Sequence, residues 1–234
     1  MSIATNIVLI ILGGAVPSLV WLYFLLKEGS RFPQPRRVVA LAFIAGMFAT
    51  LLAILFEQYM LTHGLKGLRS TIAVGTIEET MKFALAAFII LWLPVINEPI
   101  DYVIYLITVA LGFSALENAI YFIHALSVSG VAGAVLNDTR RFVTATLLHI
   151  IATSAIGFAL AFSYKMQPWS RMLWAAGGVI LAITLHTAFD TLIIGKGAKS
   201  ALALLLVWGG VVVMLFFFEI LKLREDESSH IQTR

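Results

Sequence analysis

Residues 101–126 read DYVIYLITVALGFSALENAIYFIHAL, an apolar run whose only charged members are Asp101 at its start and Glu117 well inside it. A helix that crosses a bilayer needs about 20 mostly apolar residues. The stretch is therefore long enough to span, and its interior glutamate is a charge that a lipid-facing position would not hold. The rest of the chain repeats the pattern. Of 234 residues, 60% are hydrophobic and 12% charged, with a mean hydropathy of +0.96, whereas soluble domains carry about 25% charged residues. An ordinary soluble domain is excluded, and at roughly 20 residues per span there is room for about seven spans. The absence of cysteine removes disulfides, thiolate metal sites and cysteine nucleophiles together. The net charge of +3 reflects sixteen Lys and Arg against thirteen Asp and Glu, and all of the basic residues but Lys82 lie in or beside the connections and at the chain's end, as membrane orientation requires, so no nucleic-acid partner is inferred.

Residues 3–26 form a first run with no basic residue before it and no small-residue cleavage site before Lys27, which reads as an uncleaved span. Two prolines and four positive charges in residues 27–37 end it. Further spans are expected over about 38–60, 70–93, 101–126, 141–164, 171–194 and 201–223, with the Gly- and Ser-bearing residues 127–137 as a connector too short to cross. Residues 62–75 leave room for an eighth, re-entrant piece. The expectation is an all-α polytopic transmembrane helix bundle, a single integral-membrane domain over 1–223 followed by a disordered cytoplasmic tail, 224–234. With the N-terminus outside, nine Lys and Arg, Arg234 among them, fall on the inner side and six, Lys196 among them, on the outer side. Positive loops stay cytoplasmic, which places the N-terminus outside and the C-terminus in the cytoplasm.

Glu78, Glu79, Lys82, Glu117 and Asp190 all fall inside expected spans, with His149 and His186 beside them and Arg141 at a margin. Each ionisable group at bilayer depth costs on the order of 2.5–3.5 kcal/mol on insertion scales, so the five must partner one another. Helical spacing supports this. Lys82 is four residues from Glu78 and three from Glu79, so it neutralises one carboxylate and leaves the second available. His186 and Asp190 are an i,i+4 pair in which the carboxylate would orient the imidazole. Glu117 shares a face with Tyr121, and Asn118 lies beside it. At 1.5 Å per residue, Glu78, Glu117, His149 and His186 each lie about 12–13 Å from the outer end of their spans, so four spans converge on one layer.

Two adjacent carboxylates near two histidines in a partly dry cavity are the ingredients for activating water. One carboxylate can act as general base, with a histidine or Asn118 stabilising an oxyanion. The same set could hold zinc through His149, His186 and Glu79, leaving a fourth position for water. Either arrangement points to amide hydrolysis within or beside the membrane. No H-E-x-x-H helix and no G-x-S-x-G elbow is present. Buried Glu, Asp and His chains also mark ion- or proton-coupled carriers, yet no inverted repeat duplicates the Glu78-Glu79 pair. A non-catalytic scaffold is the other alternative.

The residues also resemble a known family. Glu78-Glu79-Thr80-Met81-Lys82 is similar to the E-E-x-x-K motif of PrsW-type intramembrane proteases, and Glu117 to Tyr121, after Gly112-Phe113, resembles their F-E-x-x-x-Y motif with Leu116 in place of the Phe. Arg141, His149 and Gly157 resemble the third motif, and His186 to Asp190 matches H-x-x-x-D. The wider group includes type II CAAX prenyl endopeptidases and a non-catalytic scaffold subunit of gamma-secretase. The resemblance implies a prokaryotic plasma-membrane endopeptidase with a catalytic core at about 70–194 that cuts membrane-anchored proteins such as anti-sigma factors. Glu78, Glu79, His149 and His186 would be catalytic. Lys82, Glu117, Asn118, Tyr121, Arg141 and Asp190 would support them. Lys82, where the CAAX enzymes have an arginine one residue later, argues against prenylated substrates.

Overall fold

The computed structural model describes residues 3–91, 93–195 and 197–232. Lys196 and Arg234, both counted above for orientation, lie outside the described residues. Each apolar run folds as a helix: α1 (Ile3–Glu28), α2 (Arg36–Thr62), α3 (Leu68–Ile89), α4 (Pro99–Val143), α5 (Ala145–Phe162), α6 (Pro168–Ile194) and α7 (Ala198–Gln232). Prolines stand at the starts of α4 and α6, where the missing amide hydrogen is of no consequence.

Five stretches are long and apolar enough to cross a bilayer, fewer than the seven or eight expected: Val8–Glu28, Arg36–Thr62, Pro99–Phe162, Pro168–Ile194 and Ala198–Arg224. Two causes account for the difference. Helix α3 carries Arg69, Glu78, Glu79 and Lys82 within 22 residues, and α4 and α5 merge into one stretch of 64 residues.

Residues 127–137, expected as a connector, are helical instead, and α4 breaks at Gly130 (φ 65°), a conformation that glycine adopts without the strain a side chain would bring. The chain turns back there. Arg141 reaches Glu117 and Asn118, and Thr146 meets Asn118 and Ser114, as in an antiparallel hairpin of helices. Arg141 therefore ends α4 and does not start the fifth span, and His149 sits only four residues into α5, not eight residues below an outer surface. At the far end, α7 runs as helix through Gln232, into the stretch read as a disordered tail. No glycine or proline follows Gly210 to stop it.

The first half of α4 is the centre of the bundle: every residue from Ile100 to Ala115 is buried, which is why its sequence is apolar on all sides. Helix α2 packs on it through Ala42, Ala45, Gly46, Ala49 and Ala53. A methyl group at Gly46 would overlap the Val109 carbonyl, and one at Gly112 would overlap that of Phe43, so the two backbones touch, as small residues allow in membrane helices. Gly112→Ala is expected to destabilise the protein by about 1–3 kcal/mol in a denaturant titration in detergent. Gly177→Ala, where an added methyl group meets nothing within 4 Å, should be neutral or slightly stabilising by comparison.

One end of the bundle gathers many of the connections. Lys222 pairs with Glu28, Gln34 with Asp101, Tyr164 with Asn97, and Arg171 with Tyr102. The basic connection 27–37 is at this end. The charged layer lies toward the other.

Candidate active site

Helix α3 presents Glu78, Glu79 and Lys82 inward, where all three are buried. The facing residues are Glu117 of α4, His149 and Thr153 of α5, and His186 and Asp190 of α6. The four helices thus converge on one cluster, as expected, although the α5 contribution comes from its first turns.

Glu79 is the most completely engaged group. Its Oε1 accepts from Lys82 Nζ at 2.7 Å and from His186 Nδ1 at 2.8 Å, and its Oε2 accepts from Thr153 Oγ1 at 2.8 Å. Lys82 also donates to His149 Nδ1 at 2.8 Å, so the hydrogen-bond pattern puts the His149 proton on Nε2, which donates to Glu117 Oε2 at 3.0 Å. The Lys82 ammonium lies 4.1 Å from the centroid of the Phe113 ring, which closes its apolar side.

Glu78 is different. Its Oε2 lies 3.5 Å from Lys82 Nζ, 3.8 Å from His149 Nδ1 and 3.7 Å from His186 Nε2, distances at or beyond the limit of a hydrogen bond. It is the loosely held carboxylate of the pair, and it faces both imidazoles. One atom from each of Glu78, His149 and His186 lies within 4.8 Å of the others. The metal set expected from the sequence named Glu79; the converging set has Glu78 in its place, because Glu79 is taken up by Lys82, Thr153 and the far side of His186.

The donor set fits a cation of the zinc class, which takes imidazole and carboxylate ligands in fours with an open position for water. The second shell fits as well. Ligating histidines donate their other N–H to a carboxylate, which fixes the tautomer and the aim of the ring. Here Glu117 holds Nε2 of His149 and Glu79 holds Nδ1 of His186.

Asp190 was expected to orient His186. Its Oδ2 is 3.5 Å from Nε2, too long for that role, and Glu79 performs it on the other nitrogen. Asp190 is 26% exposed at its side chain, more open than the glutamates. Arg141 forms an ion pair with Glu117, donates from Nε to Asn118 Oδ1 at 2.7 Å, and lies 4.0 Å from the Tyr121 ring centroid. Asn118 Nδ2 donates to Ser114 and Thr146. With both ends of its amide occupied, Asn118 positions Arg141 and is not free to stabilise an oxyanion. Tyr121 is exposed, and its ring lies against the Arg141 guanidinium.

Thr153 was missed by sequence reasoning, although it lies four residues after His149 and so shares its face. Glu57 of α2 is half-buried and close enough to feel the charges of Glu117 and Asp190.

The family model described as PrsW family intramembrane metalloprotease matches residues 34–221, from just before α2 to near the end of the apolar part of α7. The Protease PrsW of Geobacillus kaustophilus (strain HTA426) is 28% identical over 207 residues, covering 85% of this chain and 87% of that protein. No solved structure gives a significant match.

Proposed function

The chain belongs to the PrsW protease family, and from that premise we propose that it hydrolyses a peptide bond of a membrane-anchored protein, of the anti-sigma-factor class, by metal-assisted chemistry at Glu78, His149 and His186. The observation that carries this reading is the aim of the two imidazoles: each gives one nitrogen to a carboxylate and turns the other toward Glu78. Glu78, His149 and His186 would hold the ion. Such an ion, when bound, polarises a carbonyl and makes water acidic enough to attack near neutral pH. Charge supports the assignment. Among the described residues Glu78, Glu79, Glu117 and Asp190, with Glu57 nearby, outnumber the permanent cations Lys82 and Arg141, so a divalent cation offsets excess negative charge.

The remaining groups have separate tasks. Glu79 and Glu117 keep the imidazoles aimed. Lys82 neutralises Glu79 and, through the same ammonium, occupies His149 Nδ1; it must release that nitrogen for His149 to act as a ligand. Asp190, beside His186 Nε2 and the most open of the carboxylates, is positioned to take a proton from attacking water and deliver it to the leaving amine.

The same reading treats α3 and the two arms of the Gly130 hairpin as separate crossings, seven in all. The buried charges of α3 satisfy one another, so its composition does not bar it from the bilayer. The basic end faces the cytoplasm, the N-terminus lies outside, and the reaction centre sits in the outer half. The test is cleavage of a single-span substrate by the purified chain in liposomes. A discrete product is expected; solute flux without product would favour a carrier, and binding without product a scaffold.

A further inference from the structure

We propose that the wedge between α5, α6 and α7 is a binding site for one anionic phospholipid, its acyl chains in the wedge and its phosphate at the basic end. The wedge encloses about 760 Å³ and is lined almost wholly by apolar side chains, within the roughly 300–1,000 Å³ typical of small-molecule sites. None of the charged residues around Glu78 lines it, and Gly177 leaves it open: a methyl group added there would meet nothing within 4 Å. In a bilayer, such a hollow fills with hydrocarbon, because its lining is almost wholly apolar and offers too few polar partners to hold water.

Charge selects which lipid. The lining of α5 ends at Phe162, and Lys165 follows in the exposed turn to α6. On α6 the lining ends at Leu173, with Arg171 two residues beyond. On α7 it ends at Phe217, with Arg224 seven residues on and therefore on the same face. The rings of Phe162 and Phe217 meet edge to face at 5.7 Å, and the Arg224 guanidinium lies 5.5 Å from the Phe162 ring centroid. Arg171 is fixed there by its 2.6 Å bond to the Tyr102 hydroxyl. Glu28 and Glu219 of the same end are both paired with Lys222, and among the described residues no carboxylate is paired with Lys165, Arg171 or Arg224. A basic pocket between membrane helices next to an apolar slot is the chemistry of an anionic headgroup with its chains. A substrate helix would need the slot but not the cations.

The proposal does not depend on the catalytic reading. The test is native mass spectrometry of the full chain released from nanodiscs of equal phosphatidylglycerol and phosphatidylcholine. One phosphatidylglycerol per chain should be retained in preference. Lys165→Gln and Arg224→Gln should each lower that retention about fivefold. Gly177→Leu, or Leu181→Trp should the first variant fold poorly, should fill the wedge and abolish retention, with circular dichroism unchanged. Equal retention of the two lipids, retention indifferent to both filling variants, or capture of a substrate span by a photocrosslinker at position 177 would each overturn it.

Discussion

Glu78→Gln is expected to lower the rate of substrate cleavage by roughly a thousandfold or more while leaving the helical content and the unfolding midpoint close to those of the unaltered chain. The expectation rests on the contrast between the two adjacent glutamates. Glu79 accepts three hydrogen bonds of 2.7–2.8 Å and serves the architecture as well as the chemistry. Among the described residues Glu78 has no polar contact shorter than the 3.5 Å to Lys82, yet its oxygen faces both imidazoles. A group held so loosely contributes little to stability, so the isosteric amide should fold. It also removes the one carboxylate common to the converging ligand set. Single-turnover cleavage in liposomes measures the effect. A variant that cuts within tenfold of the normal rate would remove Glu78 from the chemistry.

Lys82→Met should be the most damaging change to stability. The ammonium is fully buried and is the nearest cation to Glu78 and Glu79. Deleting one partner of a buried ion pair leaves an uncompensated charge and costs about 3–5 kcal/mol, a large share of the 5–15 kcal/mol that typically holds a protein folded. Denaturant titration in detergent reads the loss. The double variant Lys82→Met with Glu79→Gln should recover part of it, because the orphaned charge goes with its partner. A divalent cation added to Lys82→Met should also recover part. A loss below about 1 kcal/mol would mean that the cluster is hydrated and its charges screened.

Much of this was legible before any coordinates, for an energetic reason. A charge at bilayer depth is so costly that Glu78, Glu79, Lys82, Glu117 and Asp190 could be read as one interacting set, and they are brought together with His149 and His186. Geometry at the level of single atoms was not legible. Spacing linked His186 to Asp190 because the two are neighbours on one helix, but Glu79, on a different helix, holds the nitrogen. Nor does sequence distinguish which of two adjacent glutamates faces the histidines; that depends on how α3 is rotated against α5 and α6. The reversal at Gly130 was hidden because Gly, Ser and Ala are equally at home in a connector and in a tightly packed helical hairpin. Misplacing that turn also misplaced the start of α5, and with it the depth of His149. The extension of α7 was hidden because a polar run reads as solvated tail whether or not its backbone stays helical.

The most direct test of the central proposal is the divalent-metal content of the purified chain, measured alongside its cleavage rate before and after chelation. One ion per chain is expected, lost together with activity on chelation and restored together on adding zinc, with His149→Ala and His186→Ala binding less than a tenth as much. Full cleavage by a preparation that contains no bound metal and ignores chelators would contradict it.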